Sequence, residues 1–74
     1  MSQPREVPIR DQTIRLGQLL KLSGLVHDGA MARMVIENGE VEVDGVMVHR
    51  RGAQIGPGAV VTYAGESVKV TDGG

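Results

Sequence analysis

Between Asp28 and Val48 the spacing of apolar positions changes period once, and the change marks out a compact unit. Ala32, Val35 and Ile36 recur at helical spacing with Arg33 and Glu37 to the side, which predicts a helix with one buried face. Asp28 stands ahead of it as the N-cap, because a carboxylate accepts from the free N–H groups of the first turn and suits the positive end of the helix dipole. Asn38-Gly39 ends the helix, since these residues tolerate a left-handed backbone. Glu40-Val41-Glu42-Val43 then alternates with period two, the pattern of a strand wet on one face. Asp44-Gly45 supplies the two positive-φ positions of a type I′ turn, so the strand is expected to return as a hairpin.

Upstream, Leu16, Leu19, Leu20 and Leu22 form a second helical stripe, with Thr13 as its expected N-cap and Gly24 as its stop. The two helices are placed at about Leu16 to Ser23 and Gly29 to Asn38. Gly17, inside the first, costs up to about 1 kcal/mol against alanine, so packing must hold that helix. Val7, Ile9 and Ile14 are candidates for an edge strand, where Pro8 is tolerated. Past the hairpin, His49-Arg50-Arg51-Gly52 is a polar loop and Gly56-Pro57-Gly58 is turn chemistry. Val60 to Tyr63 has strong β character, Ala64-Gly65 can turn the chain, and Ser67 to Val70 alternates as a closing strand. Ala32, Ile36, Leu20, Val41 and Val43 are expected among the buried residues.

Composition narrows the class. A chain of 74 residues has room for one domain and one modest core. Its one aromatic residue, Tyr63, requires an aliphatic core with methionine filling gaps. Absence of cysteine excludes disulfides and cysteine-ligated metal, and makes the cytoplasm the default compartment. No apolar run is long enough to span a bilayer, and Met1 to Asp11 is too polar for a secretory signal, so no membrane partner is expected.

Charge is uneven along the chain although the net charge is only −1. Glu37, Glu40, Glu42 and Asp44 form an acidic block, whereas Gly45 to Gly65 contains Arg50 and Arg51 and no acid. A fold that gathered these with Arg10, Arg15, Lys21 and Arg33 would hold a positive patch despite the near-neutral total. The plain alternative is a solubilising surface of mixed sign.

The chain offers no catalytic constellation. Ser23 lies near His27, but a serine at a helix end is a cap or turn residue far more often than a nucleophile. Glu40 and Glu42 share a strand face and are better read as a solvated edge that discourages strand addition. His27 and His49 are too few for a metal site. Gly52, Gly56 and Gly58 are followed by no lysine and no helix, so they are turns rather than a phosphate loop. No enzyme activity, catalytic residue, metal or cofactor is expected.

Arg15-Leu16-x-x-x-Leu20, Gly24-Leu25 and Ala32-Arg33-x-x-Ile36-x-x-Gly39-x-Val41-x-Val43-Asp44-Gly45 together resemble the S-four RNA-binding domain, named after the fourth protein of the small ribosomal subunit. Small stand-alone bacterial members look closest. The resemblance covers roughly Ile14 to Val70 and divides the chain into an N-terminal segment or edge strand (1–13), the domain (14–70) and a flexible tail (71–74). It implies an α+β fold of two short antiparallel helices packed on a small, mostly antiparallel twisted sheet. It also implies a non-catalytic, monomeric module that holds structured RNA, ribosomal or tRNA-like, in ribosome assembly or RNA handling. The positions it assigns to RNA are Arg15, Lys21, Arg33, Arg50 and Arg51. Many members open the second helix with a serine-arginine pair, where this chain has Asp28 and Gly29. Gly17 stands where an acid is common, Asp44 for the turn's usual asparagine, and Ala59 for an aspartate. A chain with one tyrosine suits phosphate and shape contacts to folded RNA better than stacking of single-stranded bases.

A rival comes from Gly73-Gly74, which resembles the end of a ubiquitin-fold sulfur carrier. That fold requires a hairpin ahead of its helix. A protein-interaction module that uses the exposed sheet or the acidic block without RNA is a third possibility.

Overall fold

A computed structural model describes residues 4–73. Strand β1 (Arg5–Ile9) opens it, with Val7 and Ile9 turned inward. The short β2 (Ile14–Arg15) leads directly into helix α1 (Leu16–Leu22), which is followed by α2 (Gly29–Glu37). Then come β3 (Val41–Val43), β4 (Val46–Met47), β5 (Gln54–Ile55), β6 (Val60–Tyr63) and β7 (Glu66–Asp72). Five strands form one sheet in the order β1-β7-β6-β3-β4, with β1 and β7 parallel and the other neighbours antiparallel. β2 and β5 make a separate antiparallel pair. The class is therefore α+β, two helices on a mixed and mostly antiparallel sheet.

Period-two alternation sorts the sheet into a dry face and a wet one. Val43, Val61 and Val68 lie in register across three strands, and Val7 is level with Val70. These residues meet Leu16, Leu19, Leu20, Ala32, Val35 and Ile36 from the helices in one core. A valine, leucine or isoleucine side chain contributes about 1.5–3 kcal/mol when fully buried. On the other face Glu42, Thr62 and Ser67 are aligned, with a 2.9 Å hydrogen bond between the Thr62 and Ser67 hydroxyls.

Both ends of α2 follow the sequence. The Asp28 carboxylate accepts from the Met31 N–H at 2.8 Å, closing the N-terminus. Gly39, at φ +75°, ends the helix where Met47 packs so closely that a Cβ would lie 2.7 Å from its sulfur. Asn38 itself remains right-handed. Asp44 and Gly45 (φ 53° and 81°) turn the first hairpin, and Ala64 and Gly65 (φ 54° and 81°) the second.

Several expectations require correction. Thr13 does not cap α1: Arg15 holds the N-cap position without a side-chain bond, and the Thr13 hydroxyl meets the Gln54 side-chain oxygen. Leu22 faces solvent, 60% exposed, because the stripe of this short helix is narrower than its leucines suggest. Ile14 does not continue the edge strand of Val7 and Ile9 but pairs with Ile55. Val43, beside the turn, is only half-buried. The closing strand runs past Val70 to Asp72, and the Gly73 N–H donates to the Ile9 carbonyl at 2.9 Å. Both helices precede the Asp44-Gly45 hairpin, which is not the order a ubiquitin-like carrier needs; Gly74 lies outside the described residues. Among those residues no helix is long and apolar enough to cross a membrane.

Candidate nucleic-acid interface

The loop after β4 is folded back onto the start of α1 by backbone hydrogen bonds. Its beginning is tied down where the Val48 N–H donates to the Val41 carbonyl at 3.1 Å, and it tightens where the Ala53 N–H donates to the Arg50 carbonyl at 3.2 Å. Two N–H groups at the start of α1 then find acceptors there, Leu16 on the Ala53 carbonyl (2.9 Å) and Gly17 on the Arg51 carbonyl (3.1 Å). Helix starts leave such donors without intrahelical partners, and here a segment distant in sequence supplies the cap. The same bonds deliver Arg50 and Arg51 to the helical side of the molecule.

A groove of about 310 Å³ results between α1, the start of α2 and the loop. Arg15, Lys21 and Arg51 stand around it with Gln18, small residues such as Gly17 and Gly29 line it, and no acid among the described residues does so. On the other side of Arg51 lies a second hollow, shared with Arg33 and Glu37 of α2. A third is flanked by Arg50, Arg51 and Gln54. The fold therefore brings the five bases singled out in the sequence into adjoining hollows, and Arg51 is common to all three. Arg15 stands on the first groove with Lys21.

Arg33 is not free. Its Nε donates to Glu37 Oε2 at 3.0 Å, with both side chains more than half exposed (64% and 56%). Such a pair along a solvated helix is worth a few tenths of a kcal/mol. His27 and His49 are exposed, and the described residues contain no cluster of histidine and acid that would hold a metal ion. The arrangement is that of cations on long stems around open hollows, suited to a polyanion. Two participants escaped the sequence reading, Gln18 and Gly17. The only signal for the second was a glycine with no evident reason to be in a helix.

The S4 domain family model matches residues 7–71. The chain belongs to the S4 domain family. YbcJ of Escherichia coli (strain K12) and YbcJ of Shigella flexneri are each 42% identical to this S4 domain over 57 residues, covering 77% of this chain and 81% of theirs. The solution structure of YbcJ from E. coli is similar with a TM-score of 0.72 at 36% identity, covering 96% of this chain and 91% of that one. It is described as revealing an alfaL motif involved in RNA-binding. The crystal structure of 30S ribosomal protein S4e from Thermoplasma acidophilum is similar with a TM-score of 0.62 at 30% identity, covering 81% of this chain and 32% of that one.

Proposed function

We propose that this S4 domain is a non-catalytic module that binds structured RNA, ribosomal or tRNA-like, through phosphate and shape contacts. It acts as a cytosolic monomer in ribosome assembly or RNA handling. The observation that carries the proposal is the groove bounded by Arg15, Lys21 and Arg51, with Arg33 and Arg50 in the adjoining hollows that share Arg51. The description of YbcJ as containing a motif involved in RNA-binding, and the ribosomal origin of S4e, support it. So does the position of Tyr63, the single aromatic residue, which packs against the core instead of offering a platform for bases. Folded RNA is held mainly by its phosphates, riboses and shape, which need bases in the right places and no aromatic surface.

Binding to a hairpin RNA measured across salt concentrations tests the reading. Neutralising about four phosphates gives a slope of log affinity on log salt near −3 to −3.5, which is a loss of roughly sixty- to 130-fold between 50 and 200 mM. A protein with no salt-sensitive binding to such RNA would leave the groove to a protein partner.

A further inference from the structure

Gly17 lies in the first turn of α1 and is not among the glycines with positive φ. Any residue can adopt its backbone, and glycine inside a helix is disfavoured against alanine. Conformational freedom is thus no reason for it. Space is: a Cβ on Gly17 would lie 2.7 Å from Arg51 Cγ and 3.3 Å from Arg51 Cδ. The same Cβ would be 3.7 Å from the Arg51 carbonyl oxygen, an ordinary contact. The conflict is confined to the side chain. An alanine would leave the loop backbone, and its bond from the Gly17 N–H, in place while pushing the arginine stem off the helix.

We propose that Gly17 is a positioning residue for RNA phosphate. Its bare Cα gives the Arg51 stem a seat across the first turn of α1, and this seat holds the Arg51 guanidinium at the junction of the three hollows, beside Arg15 and Lys21. The proposal rests on the RNA reading above. An arginine that is free in the unbound protein loses rotamer freedom when it meets a phosphate. One whose stem is already seated loses less of it at that step. Gly17 therefore acts on affinity through Arg51, without touching RNA.

The test is a cycle of Gly17→Ala, Arg51→Ala and the double variant, each titrated with one hairpin RNA at several salt concentrations. Gly17→Ala should keep the thermal midpoint of the wild type or raise it, while weakening binding about two- to tenfold, the range for one long side chain that must be ordered on binding. Adding it to Arg51→Ala should change affinity no further. A merely structural glycine would move stability and binding together and would act in both backgrounds. Wild-type affinity in Gly17→Ala, or an equal loss in the Arg51→Ala background, overturns the proposal and leaves the RNA reading standing. A wild type that does not bind RNA overturns both. Side-chain NMR relaxation of the unbound wild type provides a measurement that no folding defect can obscure: the Arg51 Nε–H should be more ordered than that of Arg50, and equal mobility also overturns the proposal.

Discussion

Glu37 Oε2 accepts from Arg33 Nε at 3.0 Å, one helical turn along α2, inside a hollow that Arg51 also lines. On the RNA reading, that carboxylate occupies a position open to a phosphate. Because both side chains are well exposed, breaking the pair costs little, and Glu37 acts as a weak internal competitor. Glu37→Gln should raise affinity for a hairpin RNA by about two- to fivefold at low salt, with the gain shrinking as salt screens the repulsion. Stability should change by less than about 0.5 kcal/mol. Isotherms at two salt concentrations decide the point; weaker binding by the variant would make Glu37 a contact instead of a competitor.

Replacing both Arg50 and Arg51 by alanine should lower the salt slope by about two units and weaken different RNA sequences alike. The loop should survive, because α1 is capped by the carbonyls of Arg51 and Ala53, which alanine retains. Glu40→Ala with Glu42→Ala is the control, and should leave binding unchanged or slightly stronger. An arginine double variant with unaltered affinity and slope would remove the loop from the interface.

The sequence was most legible where one period ruled a whole element. Ala32, Val35 and Ile36 named the buried face of α2, Asp28 and Gly39 its ends, and Asp44-Gly45 the hairpin, because each signal is local and has one physical cause. Bonds to distant segments were not legible. Thr13 has the residue type of a cap and stands just ahead of α1, but the acceptors for that helix are carbonyls of the loop beyond β4. The parallel pairing of β1 with β7, the first strand with the last, leaves no local trace either. The candidate site divides in the same way. Its five bases came from the family resemblance, while the central place of Arg51 depends on how the loop folds back over Gly17.

Ala64 holds a left-handed backbone at φ 54° in the second hairpin turn, ahead of Gly65. A Cβ is disfavoured there, by about 1–2 kcal/mol for residues without a local hydrogen-bonding side chain. Asparagine tolerates this conformation better. Ala64→Asn should therefore stabilise the fold by about 0.5–1 kcal/mol, read as a higher denaturant midpoint at unchanged slope. Since Ala64 borders none of the three hollows, RNA affinity should not move. A destabilised variant would mean that the turn does not carry this strain.

Asp44 belongs by sequence to the acidic block, but its role is structural. Its backbone N–H donates to the Val60 carbonyl at 2.8 Å, and its carboxylate accepts from the Val60 N–H at 3.0 Å. One residue thus extends the β3–β6 ladder past Val43 and Val61 while turning the chain at φ 53°. Asparagine can do all of this, since its amide oxygen accepts the same bond and it tolerates the left-handed region. Alanine offers no acceptor and takes up the left-handed backbone only with strain, as Ala64 does in the second turn. Asp44→Asn should stay within about 0.5 kcal/mol of the wild type, whereas Asp44→Ala should lose about 1–3 kcal/mol from the missing acceptor and the turn strain together. Neither should alter the salt slope of RNA binding, because Asp44 lines none of the hollows that hold the bases. Chemical denaturation beside the same RNA titration separates the outcomes. Equal stability of the alanine and asparagine variants would show that the carboxylate bond contributes nothing, and that the hairpin is held by its ladder alone.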